Sequence, residues 1–123
     1  RLFTDDGGRN KLSEQYGFTA LPDGFTEISR KESNARYIVS YQKANGDQII
    51  LTQSIAEDYS IFLDNENGEL SEIDLSGTNV SVYESDDCTV AIWLQDSYAF
   101  HLTIYGDYDI DYIIDLVGTV QRQ

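Results

Sequence analysis

The chain has 123 residues, a mass of 13.9 kDa and a formal net charge of −14, from 8 Lys and Arg against 22 Asp and Glu. That length suits one domain, and an aromatic content of 12% argues against a disordered tail. The charge argues against contact with nucleic acid or an anionic membrane through a basic patch.

Residues 1–15 read as a flexible lead-in, with Asp5-Asp6-Gly7-Gly8 as a loop and one or two helical turns over Asn10–Tyr16. Residues 16–123 read as a single domain. Leu21-Pro22-Asp23-Gly24 is a turn and holds the only Pro. Strands follow at Phe25–Arg30, Arg36–Gln42 and Gln48–Ile55, the last two flanking Asn45-Gly46, for which a type I′ hairpin turn is expected. Tyr59–Leu63 is short and apolar, and Asp64–Glu69 is a polar loop. Four more strands are predicted at Leu70–Leu75, Val80–Glu84, Thr89–Leu94 and Tyr98–Tyr105, with turns at Ser76-Gly77, Ser85-Asp86-Asp87 and Asp96-Ser97. Then the period changes. Ile110, Ile113, Ile114, Val117 and Val120 fall at helical spacing behind a candidate N-cap, Asp109. The fold class expected is α+β: a single curved antiparallel sheet of six or seven strands, with a C-terminal helix packed on one face.

A two-residue loop at Asp96-Ser97 sets Gln95 opposite Tyr98 and Trp93 opposite Phe100. Ala91 and Trp93 then share a core face with Phe100, Leu102 and Ile104, under the helix. The other face carries Val90, Ile92 and Leu94 beside Ala99, His101 and Thr103. It is too apolar to be fully wet, so either a second layer covers it or the sheet curls there and leaves a cleft.

The charge is uneven. Residues 1–43 carry seven basic and six acidic residues; residues 44–121 carry 16 acidic residues and no Lys or Arg. A solvated surface, a cation site, a basic partner or nucleic-acid mimicry would each account for it. The single Cys, Cys88, allows no internal disulfide. The chain has no Met and begins at Arg1, which reads as a segment processed or cut from a longer precursor.

Chemistry-bearing patterns are sparse. His101 is the only His, and no G-x-S-x-G elbow marks a serine nucleophile for it. Cys88 lies level with Tyr105, four residues along from His101, or roughly 13 Å at strand rise, too far for a nucleophile and its base. Asp107, Asp109 and Asp111 evoke a calcium loop, but Tyr112 and Gly118 stand where that pattern needs Gly and Glu, so they are weak metal candidates. In Asp64-Asn65-Glu66-Asn67-Gly68 the Gly arrives one position early for a calcium loop. Tyr37, Tyr41, Ile92, Leu94 and His101 form the candidate binding surface, since aromatic and apolar sheet faces serve protein and sugar recognition.

Leu21-Pro22-Asp23-Gly24-Phe25, the Asn45-Gly46 hairpin, Gln53-Ser54, Leu63-Asp64-Asn65-Glu66-Asn67, Ile92-Trp93 and Tyr98-Ala99-Phe100, in this order over residues 16–121, resemble a bacterial domain-of-unknown-function family. That family is found in spore-forming Gram-positive bacteria as the extracytoplasmic C-terminal domain of anti-sigma-factor-like membrane proteins, or as lipoproteins. Two departures are the absence of Lys in the turn after Gly77 and a final helix that opens with Asp109-Ile110-Asp111. The resemblance implies an extracytoplasmic, membrane-anchored location and a non-enzymatic role, and transfers no site. The expected function is therefore a non-catalytic extracytoplasmic sensing or protein-interaction domain that uses no cofactor. Its partner is a protein or small ligand, not nucleic acid, and it meets a membrane only through an upstream anchor. Two alternatives stand beside it: an acidic inhibitor or mimic of a basic partner, and a calcium-dependent binding module.

Overall fold

The computed structural model describes Leu12 and residues 14–123. Residues 1–11 and 13 of the expected lead-in lie outside the described residues, but Leu12, Glu14 and Gln15 are described and none of them is helical, so the helical turn expected over 10–16 is not borne out there. The last residue of that turn, Tyr16, is a strand residue. In chain order come β1 (Tyr16–Phe18), β2 (Thr26–Glu32), β3 (Arg36–Gln42) and β4 (Gln48–Ile55). A single 3-10 turn (Ala56–Asp58) leads into α1 (Tyr59–Asp64). Then follow β5 (Glu69–Leu75), β6 (Thr78–Glu84), β7 (Cys88–Gln95), β8 (Tyr98–Tyr105), α2 (Ile110–Gly118) and β9 (Val120–Arg122).

Seven strands form one antiparallel sheet in the order β2-β3-β4-β8-β7-β6-β5. The chain builds β2 to β4 as a meander, crosses to the far edge through α1, and returns strand by strand until β8 closes against β4. Between β7 and β8 the register is the one that period-two alternation predicts, with Trp93 opposite Phe100 and Gln95 opposite Tyr98. Ala91, Trp93, Phe100, Leu102 and Ile104 are each at most 1% exposed. They share a core with Ile113, Leu116 and Val117 of α2. Asp109 caps α2 by accepting from the Tyr112 amide at 3.0 Å.

Three expectations are corrected. The helix stops at Gly118, and Val120 belongs to β9, a strand that pairs with β1 and lays a small two-stranded sheet over the core face. Buried Gln53 secures this addition, accepting from the Tyr16 amide at 2.9 Å and donating to the Glu14 carbonyl at 2.8 Å. Gln95 does the same from the next hairpin, donating to the Val120 carbonyl at 3.0 Å. Second, the sheet is not clearly curved; of the two arrangements expected for its other face, a covering layer or a cleft, the covering layer is the one found. The crossover helix α1 supplies it, resting Phe62 edge-on against His101 at 5.2 Å between ring centres. Third, the Asn45-Gly46 turn is not type I′. Only Gly46 has positive φ, and its amide bonds the Lys43 carbonyl at 2.9 Å, giving a type I turn closed by a glycine bulge. Both residues have positive φ at Ser76-Gly77 (54° and 90°) and at Asp96-Ser97 (51° and 76°), the two-residue loops of the β5–β6 and β7–β8 hairpins.

Candidate functional site

The binding-surface residues do not share a face. Tyr37 and Tyr41 lie on the α2 side, where Tyr41 is 7% exposed against Phe18 and the Tyr37 hydroxyl donates to the Leu12 carbonyl at 3.3 Å. Ile92, Leu94 and His101 lie on the α1 side. Ile92 is fully buried under the crossover, His101 is half-buried, and Leu94 is the most open of the three at 43% exposed. The physical reason is strand parity: pairing through β4 puts Tyr41 and Tyr37 level with Ile49 and Gln53, which share the parity of Ile104 and Phe100, not of His101.

On the α1 side the polar side chains are committed to one another. His101 Nε2 meets Glu66 Oε2 at 2.9 Å and Nδ1 meets the Thr103 hydroxyl at 3.4 Å, so both ring nitrogens are engaged. The Ser54 hydroxyl, on a fully buried residue, donates to Asp58, and Arg36 Nη2 donates to the same carboxylate at 2.7 Å. Burial works to raise the Asp58 carboxyl, but Ser54 and Arg36 together hold it below its ordinary value. The Arg36 guanidinium also lies over Phe62 at 5.5 Å from the ring centre. This bracket pins α1 to the sheet. Cys88 sits opposite Tyr105 as the register predicts, its sulfur 3.7 Å from the Ser85 hydroxyl and not beside His101.

The acidic loop before α2 is divided among tasks. Asp109 is the cap and Asp111 lies in the first turn, where it complements the helix dipole. Asp107 lines a hollow of about 480 Å³ with Glu84, Asp86, Asp87 and Tyr108. Among the described residues, no three His, Cys, Asp or Glu side chains are grouped to hold a metal ion. A second hollow of about 390 Å³ lies beside β2, between Tyr16, Phe18, Leu21 and Tyr41 and a bidentate pair in which Arg30 donates to Glu27 at 2.9 and 3.1 Å.

Sequence spacing missed the sheet edges, where the unclaimed hydrogen-bonding capacity lies. Both edge strands are seven residues long, but they differ. All seven residues of β2 are exposed, and its pairing with β3 breaks at a bulge between Glu27 and Ser29. Arg30 and Lys31 add charge to it. Bulges and basic residues are devices that blunt an edge. By contrast, β5 pairs with β6 through seven consecutive residues, Glu69–Leu75 against Glu84–Thr78, with no bulge, Pro, Lys or Arg. Its α2-side residues Ser71, Ile73 and Leu75 are half-buried, with Ile73 and Leu75 at the rim of the core. Its other side presents Leu70, Glu72 and Asp74, all exposed. Glu72 accepts from Asn79 at 2.6 Å and Asp74 accepts from the Gly77 amide at 3.1 Å; neither partner is a cation. Glu69 stands directly opposite Glu84, a like-charge pair.

The 16 carboxylates of residues 44–121 are not gathered on one surface. They lie along β5, at the hollow beside Tyr108, around α1, on α2 and in the Asp96 loop. Residues 15–120 match the family model described as a domain of unknown function, DUF4367. No curated protein matches the chain.

Proposed function

Starting from a chain that belongs to the DUF4367 domain family, we propose a non-catalytic extracytoplasmic domain that senses or binds a protein partner by docking an extended segment at an open sheet edge. The observation that carries this reading is β5: seven residues with regular pairing on one side, and an outer edge of alternate amides and carbonyls facing no other strand among the described residues. An enzyme reading finds no comparable support, since His101, Ser54 and Asp58 are each engaged in holding α1 down. A single-surface acidic mimic finds less support, because the carboxylates are spread over several elements. The extracytoplasmic location, the membrane anchor and the anti-sigma-factor-like context rest on the motif resemblance of residues 16–121.

The test is surface accessibility in cells that produce the native full-length product. A membrane-impermeant amine label, or protease added to intact cells, is expected to reach this domain. A domain labelled only after lysis overturns the extracytoplasmic reading.

A further inference from the structure

The two edges of the sheet carry opposite protection, and the difference specifies an occupant. Resting on the docking reading above, we infer that β5 accepts an extended partner segment in which basic and apolar residues alternate. A strand added to β5 lays its side chains alternately on the two faces. On one face they meet Glu72 and Asp74, exposed carboxylates with no cation at hand among the described residues. On the other they meet Ser71, Ile73 and Leu75, half-buried and continuous with the core. A basic residue therefore belongs at every second position, with an aliphatic one between. Glu69, opposite Glu84, shares the face of Ser71, Ile73 and Leu75, and Leu70 shares that of Glu72 and Asp74, so the alternation is set by residues 71–75 and not by the start of the strand.

The same charges exclude the rival occupants. Two copies pairing β5 to β5 would bring six carboxylates onto one seam, so the edge is guarded against itself while open to a cation-bearing strand. The β2 edge of a second copy carries Arg30 and Lys31, but Arg30 is already forked onto Glu27, and the bulge interrupts the pairing that a continuous sheet would need.

The probe is an end-blocked, fluorescently labelled octapeptide of alternating valine and lysine, titrated with the 123-residue chain and read by anisotropy. Four results are expected. The alternating peptide binds at least tenfold more tightly than its block isomer, in which all the valines precede all the lysines, because the block isomer matches the composition but not the pleat. Binding weakens at least tenfold in Glu72→Lys and only a few-fold in Glu72→Gln, which keeps an acceptor for Asn79; circular dichroism checks that both variants fold. Arg30→Glu leaves binding within about twofold, and the peptide slows amide exchange over residues 69–75. Equal binding of the two isomers, or no effect of Glu72→Lys in a folded variant, overturns the proposal. So does protection over 26–32 in place of 69–75. Concentration-dependent self-association that Arg30→Glu abolishes would give the edge to a second copy and overturn it as well. Each of these readouts is taken on the purified chain, so it fails or succeeds independently of the accessibility test in cells.

Discussion

Tyr16 shows how far a side chain's role can lie from its sequence neighbourhood. Its ring packs edge-on against Tyr98 and Phe100, and its hydroxyl donates to Asp96 at 2.8 Å. Burial first, and then the Asp96 carboxylate, push its pKa up to about 12. Tyr108 repeats the device, donating to Asp47 at 2.6 Å, and burial and that carboxylate raise it further still. The sign follows from linkage. A folded-state pKa above the unfolded value of about 10 gives stability that is complete below pH 10 and is lost as pH rises, because the unfolded chain ionises first. In an alkaline titration followed at 295 nm, Tyr16 and Tyr108 are expected to ionise last, together with loss of the fold. Ionisation of all nine tyrosines near pH 10 with the fold intact would refute this. The Trp93–Phe100 face was legible in the sequence, since alternation along a two-residue hairpin leaves one arrangement. The Tyr16–Asp96 bond was not, because 80 residues separate its partners and neither residue type demands the other.

The elements follow their local chemistry closely, and the departures are instructive. All seven strands of the main sheet are legible, because β-branched and aromatic runs between Gly, Asn and Asp turns leave few alternatives. The small sheet is not, because three-residue strands carry too short a pattern, and the spacing of Val120 continues the apolar stripe of α2 by coincidence. Asn45-Gly46 failed as a type I′ turn because Asn45 bonds its own loop, its Oδ1 accepting from the Asp47 amide at 2.9 Å, and lets Gly46 alone take positive φ. Two glycine exchanges test this level by urea denaturation. Gly68 has φ of 116°, and a Cβ there would press into the Glu84 carbonyl, so Gly68→Ala is expected to cost at least about 2 kcal/mol. Ser97 has φ of 76° with no special need for a side chain, so Ser97→Gly is expected to gain about 0.5 kcal/mol, left-handed strain relieved less the added entropy of Gly. The same sign for both exchanges would refute the turn assignment.

At the scale of the whole molecule, the break in charge at residue 43 becomes a gradient across the sheet. Arg30, Lys31, Arg36 and Lys43 lie on and beside β2 and β3, while Glu69, Glu72, Asp74, Glu84, Asp86 and Asp87 lie on and beside β5, β6 and the following turn, toward the opposite edge. The sequence showed the asymmetry of the chain, but only the strand order, set by the α1 crossover, turns it into a direction in space. With a net charge of −14, self-repulsion outweighs attraction between the few ion pairs, so screening should help the fold. Raising NaCl from about 0.02 to about 0.5 M is expected to raise Tm by about 2–5 °C; a fall would mean that ion pairs such as Arg36–Asp58 dominate. The pairing of β1 with β9 bears on load. Tyr16 faces Arg122 and the Gln123 amide bonds the Gln15 carbonyl at 2.8 Å, so residues 15 and 123 lie side by side. Tension applied at those two points would part the small sheet one hydrogen bond at a time, as a zipper, before any force reached the seven strands beneath. The core would be released from its cover while the β5 edge stayed whole.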